Sequence, residues 1–242
     1  MPDKPLIIAM IPARIGSTRL KMKNLALLNG KPIIAYAIEA AKKSRVFDRI
    51  VLNSDSDIFL KIADRYNVEY YHRPEHLGSH TTKSDDVVLD FIQHHLTEIV
   101  VWVNPISPLQ TGDEIKEIIQ YFIQKKLDSL VTVKDEQVHC IYKNEAVNFT
   151  LEGKFSQTQD LTPIQSFVYS IMMWRTHPFV EAMKEKGSAF FTGKIGFYPV
   201  GKLASMIIKT AEDLQLIDFI LKAGAKETES VQYDELVKGK MR

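Results

Sequence analysis

The sequence predicts an α/β fold: an open, mostly parallel sheet with helices on both faces. Two observations carry that expectation. Short apolar runs alternate with stretches of helical periodicity through the first half of the chain, and such alternation builds parallel strands joined by right-handed crossovers. The first apolar run, residues 6–11, empties directly into a loop carrying Arg14, Arg19, Lys21 and Lys23. A loop at the carboxyl end of a first strand is where open α/β sheets bind ligands. A hydrophobic share of 45% and a charged share of 25% suit an ordinary globular core. No internal repeat or linker divides the 242 residues, so 1–242 is read as one domain.

Taken in order, strands are expected at 6–11, 48–53, 67–71, 98–103 and 128–133, each an apolar run of buried-strand length. Helices are expected at 31–44, 56–66, 84–96 and 111–126, where the pattern turns helical. Thr111 and Asp113 supply an N-cap and a first-turn acid for the fourth helix. Ser84 opens the third, with Asp85 and Asp86 favoured by the helix dipole. After about residue 134 the pattern breaks into short β-like pieces at 139–142, 146–150 and 167–173. A helix over 176–186, a strand over 194–200 and a helix over 211–223 return to the sheet. The charged tail from Lys226 reads as a partly ordered end.

Composition narrows the function. A net charge of +1 provides no surface for a nucleic-acid polymer or a membrane, and no apolar stretch approaches the roughly 20 residues that span a bilayer. Cys140 is alone, which excludes an intrachain disulfide and a Cys-rich zinc site and fits a cytoplasmic location. The charged loop that follows the first apolar run is unlike a signal peptide. His94 and His95 are adjacent on a helix and face different directions, a poor geometry for one metal. His76 and His80 have no apparent carboxylate partner, and Met172 and Met173 read as packing residues.

The basic loop is the feature left to explain. Asp3 is the only acid in the first 38 residues, so the loop's charge is uncompensated locally. Cations interleaved with Ser17 and Thr18 suit a polyphosphate, whose oxygens gain from charge-assisted bonds and exposed N–H groups. Residues 11–24 read I-P-A-R-x-x-S-x-R-L-x-x-K-N, and 25–38 read L-x-x-L-x-G-K-P-I-I-A-Y-A-I. Further motifs run in order: V-L-N-S-D at 51–55, Arg73-Pro74 to Leu77, N-P-I-S-P-L at 104–109, Q-D-L at 159–161 and T-A-E-D-L at 210–214. Over nearly its whole length the chain resembles the sugar-activating cytidylyltransferases. The likeness is greatest to the CMP-sialic acid synthetase (acylneuraminate cytidylyltransferase) group, and the S-T-R-L portion is shared with the Kdo cytidylyltransferases.

The resemblance implies a Rossmann-like sheet of the nucleotide-diphospho-sugar transferase type, with a small β-rich dimerisation arm within 138–190 and a homodimer as the unit. It implies transfer of a cytidylyl group from CTP to a small anionic sugar, an acidic 2-keto sugar of nonulosonate type, with release of pyrophosphate. Two alternatives stay open: a nucleotidyltransferase for a different anionic acceptor, and a catalytically impaired nucleotide-binding homologue acting as a partner protein. Arg14, Ser17, Arg19, Lys23 and Asn24 carry the family's triphosphate loop, with Arg14 and Lys23 stabilising charge during transfer. Ser54 and Asp55 either contact the nucleotide or cap the 56–66 helix. Thr81, Lys83 and Ser84 occupy the segment that contacts the nucleotide in the family. Asn104 stands where the family has Gln and, with Gln159, Phe190 and Phe191, falls on the acceptor side; Phe190 and Phe191 read equally as packing. Asp160 is the candidate base, and Arg73 is structural or lines the site.

The resemblance also implies Mg2+, which the family holds with two aspartates of an S-I-D-I-D-T run. Here residues 205–210 read S-M-I-I-K-T, placing Ile207 and Lys209 at those positions. Either Lys209 offsets phosphate charge in place of metal, or the metal-assisted step is lost. The family's basic residue before Q-D-L aligns with Thr158, its following Tyr with Gln165 and its N-G near Val168-Tyr169. These departures point away from N-acetylneuraminate as the acceptor.

Overall fold

The computed structural model describes residues 5–224, and the tail from Lys226 lies outside them. The first strand shows why the sheet forms where it does. β1 (Ile7–Ala13) is buried on both faces: Ile7, Ala9, Ile11 and Ala13 point to one side, Ile8 and Met10 to the other. A strand apolar on both faces belongs in the middle of a sheet covered by helices on each side. The helices and strands that follow are α1 (Ile33–Ser44), β2 (Arg49–Ser54), α2 (Leu60–Tyr66), β3 (Glu69–His72), α3 (Ser84–His94), β4 (Ile99–Val103) and α4 (Gly112–Gln124). The second half adds β5 (Ser129–Glu136), β6 (Ile164–Arg175), α5 (Thr176–Lys186), β7 (Ile195–Pro199) and α6 (Ala211–Ala223).

The sheet runs β7-β5-β6-β4-β1-β2-β3. All neighbouring pairs are parallel except the two made by β6, which is antiparallel to both β4 and β5. On one face α1, α2 and α4 pack through Ile34, Ile38, Ala63, Ile115 and Phe122 against Ile11, Leu52, Val101 and Leu130. The alanines of α1 leave room for α4 to approach closely. A Cβ at Gly112 would lie 2.7 Å from the backbone nitrogen of Ser44, so this helix contact requires glycine. On the other face α3 and α5 set Val87, Val88, Phe91 and Phe179 against Ile8, Met10, Val100 and Trp174. α6 closes a third, smaller cluster through Ile217 with Leu28, Ile33 and Ile208.

The expected elements are present within a few residues of their bounds, with Thr111 capping α4 by accepting from Glu114 N at 3.2 Å. Ser84 opens α3 as expected, with Asp85 and Asp86 in its first turn and Lys83 at the N-cap position. One expectation needs correction. The stretch 167–173 is not a piece of an appendage. It lies inside the 12-residue β6, which enters the sheet at Ile164, earlier than the expected return at 176. Its Met172–Trp174 core and its pairing with both β4 and β5 override the broken local pattern. Within the expected 138–190 arm, only the stretch before β6 stands apart from the sheet. That stretch holds a hairpin, Ile141–Tyr142 with Glu145–Ala146, and a one-turn 3-10 helix Thr158–Asp160. Asn148 organises it, accepting from Cys140 N and donating to the carbonyls of Val138 and Thr162.

The β5–β6 register shifts between Phe167 and Met172, and at this bulge Tyr169 adopts φ 59°. A left-handed backbone costs an L-residue roughly 1–2 kcal/mol that glycine avoids. The position is the one that aligns near the N-G of the resembling motif. A Tyr169→Gly chain is therefore expected to be more stable than Tyr169→Ala by about 1 kcal/mol in urea unfolding. Equal midpoints would show that the bulge imposes no backbone constraint there.

Candidate active site

At the carboxyl ends of β1 and β4 a cleft of about 340 Å³ opens between the basic loop and the segment leading into α3. Its charged lining is Arg14, Lys23, Arg73 and Lys83, and no Asp or Glu is among its lining residues. Such a cavity favours an anion electrostatically, because cations held without counter-charge gain most when one arrives.

The loop is held open by bonds that leave its cations facing the cleft. Arg73 is buried, its side chain 4% exposed, and donates to Ala13 O at 3.0 Å and Asn53 O at 3.4 Å. Asp55, 7% exposed at its side chain, lies 3.9 Å from that guanidinium and accepts from Ile15 N at 3.2 Å. Arg14 donates to Ser79 O at 3.2 Å, bridging the loop to the far wall. Lys23 begins a one-turn helix, Lys23–Leu25, entered through Met22 at φ 49°. Its ammonium donates to Ile208 O at 3.2 Å. Burial first, then the charges of Arg19 and Arg14, push the Lys23 pKa down to about 8; Asp213 opposes the shift and Lys209 adds to it. Five charged groups are thus close enough to sense one another.

The structure sorts the expected site residues. Arg14, Ser17, Lys23, Asn24, Ser84 and Asn104 line the cleft, together with Lys83 and Arg73. Arg19 is exposed and acts on the site through its charge on Lys23. Ser54 is fully buried, its Oγ accepts from Ser56 N and shapes the turn into the 57–66 helical stretch, and it is not among the residues lining the cleft. Asp55 fixes the loop backbone, as above. Thr81 is exposed and bonds Ser79; its neighbour Thr82 takes the lining position. Gln159 and Asp160 are exposed on the 158–160 turn, and within one chain neither lines the cleft. Phe190 packs edge-on to Trp174, whose Nε1 donates to Phe190 O, so the packing reading holds for it. Phe191 is 53% exposed and sits beside Phe167. Asp85, read only as a first-turn acid, accepts from Ala189 N and Phe190 N and pins that loop to α3.

Sequence reasoning missed His80, Thr82 and Trp102 as lining residues. Trp102 was findable: it shares a strand face with Val100 and precedes Asn104 by two residues. Its Nε1 and the Nε of Arg73 are buried without a partner among the described residues. Leaving such donors unpaired costs about 1–3 kcal/mol each, the signature of a floor arranged for something other than folding alone.

The chain matches the family model described as Cytidylyltransferase over residues 8–219. It is 35% identical over 133 residues to an N-acylneuraminate cytidylyltransferase of Escherichia coli O18:K1:H7, covering 52% of this chain and 31% of that one. It is 30% identical over 167 residues to a pseudaminic acid cytidylyltransferase of Campylobacter jejuni, covering 64% and 72% respectively. The chain spans a third to a half of the length of the N-acylneuraminate cytidylyltransferases it matches. Its fold superposes on a CMP:2-keto-3-deoxy-manno-octonic acid synthetase complexed with CTP at a TM-score of 0.69 and 13% identity, over 90% of this chain and 99% of that one.

The Lys23 shift has a sign that can be tested. Unfolded, the lysine holds its proton to its usual 10.5; folded, it releases it near 8. Between those values the unfolded state binds more protons, so stability rises with pH from about 8 to about 10.5. The full penalty stands below 8. Urea midpoints of the Lys23→Met chain are expected to lack that component of the rise and to exceed the parent's at pH 7. A parallel pH dependence in both chains would refute the assignment.

Proposed function

The chain belongs to the cytidylyltransferase family, and from that premise we propose that it transfers a cytidylyl group from CTP to an acidic 2-keto sugar of nonulosonate type. The observation that carries the proposal is the cleft at the ends of β1 and β4, lined by four cations and no carboxylate. The acceptor hydroxyl oxygen forms a bond to the α-phosphorus, the bond from that phosphorus to the bridging oxygen breaks, and pyrophosphate leaves with the electron pair. The hydroxyl proton departs to solvent or to a base. Positioning and charge stabilisation supply most of the rate in such chemistry. Arg14, bridged to Ser79, and Lys23, tethered to Ile208, hold the phosphates; Ser17, Asn24 and Ser84 supply polar contacts around them. Asn104, which lines the cleft with Trp102, is assigned to the acceptor.

A homodimer in the cytoplasm is part of the same proposal. Phe167, Tyr169, Phe191 and Phe197 form an exposed aromatic group with ring centroids 5.4–6.1 Å from Phe167. Phe167 and Phe197 register with Val133 and Val131 across β5. Ile141, Tyr142 and Phe155 add exposed apolar surface on the segment before β6. Surface of this kind suits a second copy. None of the described helices is long and apolar enough to cross a membrane.

Pyrophosphate release, measured with CTP and a panel of pseudaminic, N-acylneuraminic and 2-keto-3-deoxy-manno-octonic acids, tests the reaction; turnover with none of them would refute it. Arg14→Ala is expected to weaken CTP binding about tenfold or more, and unchanged affinity would remove Arg14 from the donor site. Sedimentation of Phe197→Glu is expected to show monomer where the parent sediments as dimer. A monomeric parent would sink the dimer.

A further inference from the structure

We infer that this chain neutralises the phosphates of its substrate with its own cations, the cleft's Arg14 and Lys23 joined by Lys209, and holds no divalent cation with carboxylates of its own. The inference rests on the nucleotide reading above and deepens it at one point, the source of positive charge.

The donor set around Lys23 does not suit magnesium. That ion takes hard oxygen ligands, typically one or two carboxylates with substrate phosphates and waters. Of the two positions that a carboxylate pair would fill, Ile207 packs half-buried against the main core, and Lys209 places a positive charge close enough to lower the Lys23 pKa.

One carboxylate, Asp213, does sense Lys23, but one of its two oxygens is already committed. Asp213 Oδ2 accepts from the backbone nitrogens of Lys209 and Thr210, each at 2.8 Å, and closes the capping box of α6. Turning Oδ2 to a metal would strip two N–H groups and break the capping box. The same bonds fix where Lys209 stands. Ile208, between them in space, donates to Ile106 O at 2.8 Å and accepts from the Lys23 ammonium, so the loop is tied on both sides. A divalent ion held here would feel the positive charges of Arg14, Arg19 and Lys209 that already act on Lys23. The phosphates of a nucleotide would meet the same charges as attraction.

The test is CTP binding by calorimetry in excess EDTA and in excess magnesium, with Mn2+ alone followed by electron paramagnetic resonance. We expect CTP to bind in EDTA about as tightly as in magnesium, and Mn2+ alone to show no saturable site. Lys209→Met keeps the backbone N–H on Asp213, so the fold stays intact; it is expected to weaken CTP binding in EDTA about tenfold. Lys209→Asp is expected to make binding magnesium-dependent. Binding that EDTA abolishes and magnesium restores, or a saturable Mn2+ site in the parent, would overturn this inference and leave the nucleotide reading standing. An unchanged affinity in Lys209→Met would overturn it as well. CTP binding under neither condition would overturn both.

Discussion

The buried guanidinium of Arg73 is the constraint on which the cleft depends. It joins the ends of two neighbouring strands through Ala13 O and Asn53 O, and Asp55 beside it grips the backbone at Ile15. A guanidinium out of water is costly unless paired and hydrogen-bonded, so the bracket is an all-or-none arrangement. The chain makes room for it: a Cβ at Gly78 would fall 1.9 Å from Asp55 Oδ2. With Asp55 spent on the backbone and on Arg73, it does not neutralise the loop's other cations. Asp55 answers the charge of Arg73 alone, and no carboxylate lines the cleft beside Arg14, Lys23 and Lys83.

That arrangement explains how folding and binding compete in this protein. Lys23 is pushed toward its neutral form by burial and by its neighbours, a strain that a phosphate relieves. Donors on the cleft floor, Trp102 Nε1 and Arg73 Nε, are likewise unpaired. Charge and polarity placed before the ligand arrives need no rearrangement when it does, and this is the condition under which electrostatic stabilisation is most effective.

Much of this was legible in the sequence, for local reasons. Continuous apolar runs such as 6–11 dictate central strands, and the density of cations in the 11–24 loop announces the basic lining of the cleft. What stayed hidden was non-local. Asp55 and Arg73 look like a turn residue and a loop residue, and only pairing of β1 with β2 and of β2 with β3 brings them to one point. Thr82 and His80 line the cleft because the segment before α3 folds back over the basic loop, which no periodicity records. Asp85 looked like a dipole acid because its partners, Ala189 and Phe190, lie a hundred residues on. The orientation of β6 escaped for the same reason: its alternation is broken by a bulge, and its two flanking partners come from distant parts of the chain.

Because β6 runs against its neighbours, it begins at the rim where β5 ends, with Ile164 paired to Glu136. The excursion between them therefore leaves and rejoins the sheet at adjacent points, on the same rim as the cleft. Lengthening such a closed loop adds little entropic cost, since the closure term grows only with the logarithm of its length. Insertions, deletions or wholesale exchange there displace no strand and leave the basic loop untouched. The architecture separates a fixed basic cleft from a replaceable rim, so one scaffold can change the surface beside its cleft without re-solving its folding problem.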